Sequence, residues 1–361
     1  MQRLIFALSL SAAPAFADVP KVATDIAPIH SLVSQVMNGV GTPDLIIPAN
    51  ASPHGYAMRP SEARNLAQAD VVIWVGPTLT PWLDGPVETL AATAAHLVLA
   101  DVPQINVLAF REGSGFGAHD HGHEEGHQDE HAEDDHEDHA DGHDDHKEHA
   151  DGHEDHADDH DGHDDHEDHA DEDGHDDHQE NAKEAGHDGM KDPHLWLDPG
   201  NASIWLMAIA DQLAIVDPEN ADTYRDNAKQ GQVAIALQEK AIAAQLAPVV
   251  GTPFIVFHDA FHYFEAHFEV EAVAAVSTGD AAKPGAARIA SLRADLSDSG
   301  VHCAFTEPQI DASLLGTVTE GLDVKLGVLD PLGADLPLGP GQYAALLGAI
   351  ADSMAVCLSH K

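Results

Sequence analysis

Basic residues are scarce in this 361-residue chain: 16 Lys and Arg stand against 63 Asp and Glu, for a formal net charge of −47. A surface with that balance repels phosphate backbones, which excludes nucleic acid as a partner and points to cations. Long apolar runs are missing as well. Beyond the first residues no stretch reaches the roughly 18 apolar residues that a membrane span requires, so the mature protein is expected to be soluble, with no span of its own. Cysteine is nearly absent, with only Cys303 and Cys357. In a chain sent to an oxidising compartment such a pair reads first as a disulfide, worth on the order of 4 kcal/mol in the chain-entropy model. Two buried free thiols are the alternative.

Export is read from the start of the chain. "MQRLIFALSLSAAPAFADVP" carries one basic residue, Arg3, then an apolar run over 4–10 and the small-residue pattern Ala15-Phe16-Ala17 before Asp18. That is the layout of a secretory signal peptide cut after Ala17, and residues 1–17 are assigned to it.

The negative charge is concentrated. Residues 119–192 hold 33 Asp and Glu against three Lys, which leaves the rest of the chain at about −17. Leu, Ile, Val and Phe almost vanish over 113–192, so nothing offsets the entropy of ordering, and a disordered insertion in the N-terminal lobe is expected there. Its core, "DGHDDHKEHADGHEDHADDHDGHDDHEDHA" (141–170), repeats about every ten residues without an apolar stripe, so no solenoid follows. The tract carries His119, His121, His123, His127, His131, His136, His139, His143, His146, His149, His153, His156, His160, His163, His166, His169, His175, His178 and His187. Spacings of three and four dominate, a pattern that binds zinc, copper or nickel weakly at several sites; a solvated spacer is the alternative. With unperturbed pKa values near 6.5, these imidazoles lose affinity as the compartment acidifies.

Outside the tract, apolar runs alternate with helical patterns. "KVATDI" (21–26), "DLIIPA" (44–49), "DVVIWVG" (70–76) and "AHLVLA" (95–100) read as strands. Helices are expected over 28–37 and over "RPSEARNLAQA" (59–69), the latter with Ser61 as N-cap. Structure resumes at 192–218, helical after Asn201, and Asp217-Pro218 reads as an N-cap with proline at the first helical position. From 218 to 246 only Gly231 interrupts a helical pattern, which makes a rod of roughly 40 Å, long enough to join two lobes. The second half repeats the grammar: "PFIVFHD" (253–259), "EAVAAVS" (271–277), "HCAFTE" (302–307) and "VKLGVLD" (324–330) read as strands. The expected fold is α/β, with two lobes (18–217 and 248–361), each a mainly parallel sheet flanked by helices, and a linking helix over 218–247.

In open parallel sheets ligands bind outside the carboxyl ends of the strands. His54 follows the 44–49 strand through a loop, His258 closes "FIVFH", and His194 lies in "DPHLWLDP", where structure resumes. Asp330, in "VLDPLGAD", is again at a strand end. Three imidazoles with a carboxylate or water make a nitrogen-rich, four-coordinate site that suits zinc over calcium or magnesium. A lone histidine at a strand end is more often a hydrogen-bonded structural group.

The surrounding words, in order, are "PHGYAMRPSEARNLAQADVVIWVG", "HLWLDPGNA", "DPENADTYRDNA", "VFHDAFHYFEAHF", "TEPQ" and "LDPLG". Together they resemble the zinc-binding component of bacterial high-affinity zinc ABC importers, the ZnuA type, within the wider class of metal-binding extracytoplasmic receptors. The resemblance spans nearly the whole mature chain except the tract. It implies a periplasmic, monomeric receptor with no enzymatic activity, two α/β lobes bridged by one rigid helix, and zinc in the cleft between them. It implies a membrane permease driven by a cytoplasmic ATPase as partner. The family's ligands fall on His54, His194 and His258, and the carboxylate used by some members falls on Asp330. Some zinc members carry a glutamate just before the first histidine; here that position is Pro53, which leaves Asp330, water or a tract residue as fourth ligand. A His- and acid-rich loop before "HLW" is common in zinc members, which implies an accessory, low-affinity zinc collector. A late cysteine pair like that of Gram-negative members implies Cys303–Cys357.

Two rival functions are open to the same residues. Metal storage would make the tract itself the working part. A zinc hydrolase would use "HDAFH", which has zincin spacing, provided His258 and His262 shared a helix face. Glu307 and Asp198 are candidates to orient the histidines, with a cap or turn role as the alternative. His262 is placed near the cleft, and His30, His96, His302 and His360 are read as structural or surface groups.

Overall fold

The computed structural model describes residues 19–112, 115–116, 191–277, 284–297, 299–311 and 313–359. The signal peptide and the histidine tract, with every tract histidine named above, lie outside the described residues, as does His360.

The first half places β1 (Val22–Thr24), α1 (Ala27–Val36), β2 (Asp44–Leu45), α2 (Pro60–Ala67), β3 (Val71–Trp74), α3 (Pro81–Leu90) and β4 (Ala95–Val98) in alternation. The strands form a parallel sheet in the order β2-β1-β3-β4. β1 and β3 are buried at every position, as central strands covered on both faces must be. After these come α4 (Pro199–Val216) and α5 (Ala221–Leu246). The second half runs β5 (Phe254–His258), α6 (His262–Phe268), β6 (Ala274–Ser277), α7 (Ala286–Ser297), β7 (Cys303–Thr306), α8 (Ser313–Thr319), β8 (Lys325–Val328) and α9 (Gln342–Leu358). Its sheet is also parallel, in the order β6-β5-β7-β8.

Both sheets are built on one plan. The strand order reverses beside the first strand of each half, between β1 and β3 and between β5 and β7. Those switch points open crevices at the carboxyl ends, the usual seat of ligands in such sheets. Side-chain alternation sorts β5: Phe254 and Val256 join a large core that runs from β1 to α9, while Ile255 and Phe257 join a smaller one beneath α7 and α8. The period of two puts His258 on the face of Phe254 and Val256.

The 26-residue α5 is about 39 Å long at roughly 1.5 Å per residue. It packs on α1 and α4 from the first half and on α9 from the second, so a single apolar core spans both sheets. At Gly231 the backbone passes so close to α4 and α1 that an added Cβ would lie 2.7 Å from Leu206 Cδ1 and 2.9 Å from Gln35 Oε1. The one glycine in the helix is therefore a close-approach residue.

Several boundaries differ from the sequence reading, among them β2, which ends at Leu45, and α4, which begins at Pro199. α2 begins at Pro60, with Arg59 as N-cap, so Ser61 lies inside the first turn. Proline suits the first helical position, and Glu62 reaches back to accept the Arg59 backbone N–H at 2.6 Å. Asp217 ends α4 and stands at the N-cap position with Pro218 first, as expected, but of a 3-10 turn, Pro218–Asn220, that precedes α5. The Asp217 carboxylate accepts from Tyr224 Oη and Asn220 Nδ2, both at 2.7 Å, and caps no backbone N–H. Cys303 and Cys357 form a disulfide that staples β7 to α9.

Candidate metal centre

Three imidazoles converge from three parts of the chain. His54 sits on the 3-10 turn Pro53–Gly55 after β2, pinned by the Trp82 indole N–H, which donates to Pro53 O at 2.8 Å. His194 precedes the 3-10 turn Leu195–Leu197 that leads into α4, and His258 ends β5. One donor nitrogen from each lies within 4.8 Å of the other two. The Nε2 atoms of His54 and His194 are 3.3 Å apart. Zn–N bonds of about 2.0–2.1 Å at a tetrahedral angle separate ligand nitrogens by about 3.4 Å, so this pair already spans one edge of a zinc tetrahedron. His194 and His258 are buried, and His54 is half-buried at the mouth.

Each buried histidine has an acidic partner. His194 Nδ1 donates to Asp192 Oδ1 at 2.7 Å, and the His194 backbone N–H donates to the same oxygen at 3.0 Å. That fixes the proton on Nδ1 and leaves Nε2 as a lone pair aimed at the cluster. Burial alone would push the Asp192 carboxyl up, but the neighbouring His194, through its ring and backbone hydrogen bonds, holds it down at about 2. His258 Nδ1 lies 3.4 Å from Glu307 Oε2. The pairing follows from register: β5 and β7 align Phe254 with Cys303 and Val256 with Phe305, and the same offset sets Glu307 opposite His258. Burial, then the neighbouring imidazoles of His194 and His258, push His54 down to about 2, so its ring is neutral and ready to bind a cation.

The three histidines share a cavity of about 20 Å³ with Trp196, Glu307, Gln309 and Leu332, among others. A water needs roughly 10–15 Å³ by this measure, so the space suits one ion and little more. Glu307 Oε1, buried in its wall, has no hydrogen-bond partner among the described residues.

The structure does not bring Asp330 into this group. Its Oδ1 accepts the backbone N–H groups of Leu332 and Gly333 at 3.0 and 2.9 Å, its Oδ2 accepts that of Ala334 at 2.5 Å, and Gln309 Nε2 donates to Oδ1 at 2.9 Å. Both oxygens thus accept backbone N–H groups of the turn after β8. Asp198 also stays away from His54, His194 and His258: it is the N-cap of α4, accepting from Gly200 N at 2.7 Å. Glu307 does touch one, as described. His262 lies beside the site, with Nδ1 3.6 Å from Asp192 Oδ2. His258 ends a strand while His262 begins α6, so the two share no helix face and the zincin arrangement is not formed. Asp192 was missed at the sequence level; its signal was an acid two residues before a candidate ligand, invisible among so many acids.

Comparison with known proteins places this geometry. The family described as ZnuA, zinc-uptake complex component A, periplasmic, matches residues 22–357. The High-affinity zinc uptake system protein ZnuA of Paracoccus denitrificans (strain Pd 1222) is 41% identical over 98% of this chain and 97% of its own length. That of Brucella suis biovar 1 (strain 1330) is 43% identical over 94% of this chain and 91% of its own. Among solved structures, a crystal structure of ZnuA superposes with a TM-score of 0.67 at 18% identity, covering 94% of this chain and all (100%) of that one. A ZnuA deletion mutant described as zinc-bound has a TM-score of 0.66 at 16% identity, covering 95% of this chain and 100% of its own. These two share the fold.

Proposed function

Because this chain belongs to the ZnuA family of periplasmic zinc-uptake components, we propose that it captures Zn2+ on His54, His194 and His258 and delivers it to the permease of an ABC importer powered by a cytoplasmic ATPase. The observation that carries this reading is the convergence of three imidazole nitrogens, two of them held by acidic partners, at the carboxyl ends of two parallel sheets. Zinc is the cargo. Neutral imidazoles are its preferred nitrogen donors, and a buried site of this size favours four-coordination.

The fourth position falls to a water lying in the cavity beside Glu307, whose unpartnered Oε1 would accept its proton. Asp330 is disfavoured because withdrawing it would orphan three backbone N–H groups. The shared core along α5 opposes a wide hinge motion, so capture and release are assigned to side chains and loops, His54 foremost. The leader at 1–17 directs export. The tract acts as a lower-affinity collector that raises the local zinc supply. No group here is arranged for catalysis in this reading: the ion itself is what moves.

Alanine replacement of each histidine tests the ligand set. His54→Ala, His194→Ala and His258→Ala should each weaken zinc binding more than about 100-fold in competition with a chelator, beyond the ~10–100-fold typical of outer partners. Tight binding retained by any one of them removes that residue from the set.

A further inference from the structure

Arg111 belongs to the first half of the chain, yet its guanidinium is inserted into the second. Its Nε donates to Asp259 Oδ1 at 3.0 Å, and its Nη2 to the same oxygen over a shorter contact. Its Nη1 donates to Glu265 Oε2 at 2.5 Å, and its Cζ lies 4.1 Å over the Phe116 ring. The side chains are nearly dry: 12% exposed for Arg111, 4% for Asp259 and 0% for Glu265. Two buried carboxylates so close repel each other unless a cation sits between them, and a planar guanidinium is the side chain that can grip both. The flanking chain is fixed in place too. Tyr263 Oη, from α6, accepts from Leu108 N at 2.9 Å and donates to Asp192 O at 2.9 Å, and the Asp192 backbone N–H donates to Leu108 O at 2.9 Å.

Asp259 is the residue after His258. Residues 258–261 form the bend from β5 into α6, with Ala260 N donating to His258 O at 2.8 Å and Asp259 N to Ser277 O at 3.3 Å. Glu265 lies one turn into α6, where its Oε2 also accepts the Ala272 backbone N–H at 2.9 Å. Arg111 thus clamps the bend from both sides: one arm of the fork holds Asp259, the residue after His258, and the other holds the helix that follows. Remove the cation, and the Asp259–Glu265 repulsion is relieved most readily where the chain is least regular, at the bend carrying His258.

We propose that Arg111 is a positioning residue of the metal site, acting through Asp259 and Glu265 to set the direction of the His258 imidazole toward His54 and His194. This rests on the three-histidine reading above. The residue reaches no ligand directly, so its effect is on where a ligand points.

The test uses the full mature chain. Zinc affinity is measured against a competing chelator strong enough to read only the tightest site, and the visible absorption of one equivalent of Co2+ reports ligand geometry. Arg111→Met should lower zinc affinity about ten-fold or more, in the range of other outer-partner losses, and shift the Co2+ bands. Arg111→Lys, which can neutralise the pair but cannot fork between them, should fall between the two. If Arg111→Met fails to fold, Arg111→Lys alone decides: altered Co2+ bands with weakened zinc binding support the proposal, and wild-type values for both overturn it. A loss of thermal stability with unchanged affinity and spectrum would make Arg111 purely structural and also overturn it. His194→Ala is run alongside. If it keeps tight binding, the three-histidine site is wrong; if it loses binding while the Arg111 variants keep it, only the positioning role is wrong.

Discussion

Asp192 holds a ring and a backbone with one oxygen. Its Oδ1 accepts both the Nδ1–H and the main-chain N–H of His194, while the strongly lowered pKa keeps it ionised across any working pH. A carboxylate behind a histidine fixes the tautomer and raises the basicity of the nitrogen that faces the metal. Asp192→Ala should therefore cost about 10–100-fold in zinc affinity while leaving stoichiometry unchanged, read by chelator competition. An unchanged affinity would mean that the Trp196 ring, 5.3 Å from that of His194, suffices to orient it. His54 has no such partner among the hydrogen bonds described here beyond its contact with His194. It is held by its loop instead, which Trp82 pins at Pro53.

Elements meet where α4, α5 and α6 come together, and one ring bridges all three. His267 on α6 has Nδ1 3.1 Å from Asp198 Oδ1 at the start of α4 and Nε2 3.0 Å from Glu239 Oε1 on α5. The hydrogen bond to Asp198, followed by the charges of both acids, raises its pKa despite partial burial. A histidine raised above its unfolded value of about 6.5 stabilises the fold fully below that pH and loses the contribution as pH climbs through the folded value. With a ring 27% exposed, the gain is discounted to about 1 kcal/mol. His267→Gln should lower the melting temperature near about pH 5.5 and make no difference near about pH 9; an equal loss at both would reduce the contact to packing. The elements themselves were largely legible: parallel strands buried on both faces announce themselves as apolar runs, and "FIVFH" is such a run ending in a ligand. The partners were not. Glu307 faces His258 only through the β5–β7 register, and Arg111 meets Asp259 across 148 residues of chain, distances that no local period encodes. Asp330 matches the family's carboxylate by position, while in the fold its oxygens accept the backbone N–H groups of the turn that "DPLG" forms.

Across the whole molecule, two sheets of identical plan share one apolar core along α5, and the disulfide locks the far end of the second. The candidate metal centre draws His54 and His194 from before α5 and His258 from after it, so only the completed fold brings the three together. The histidine tract supplies many more imidazoles, none of them among the described residues. Its return end is fastened to the outgoing chain by the Ala109–Lys191 bridge, which a deletion confined to residues 117–190 leaves in place. The most direct measurement is calorimetric titration of zinc into the mature protein with those residues removed. One tight zinc per chain, with only the weaker events lost, is the expected result. If the truncated protein binds no zinc tightly, the tract itself is the working site, and a storage protein, not a cleft receptor, would be the description to adopt.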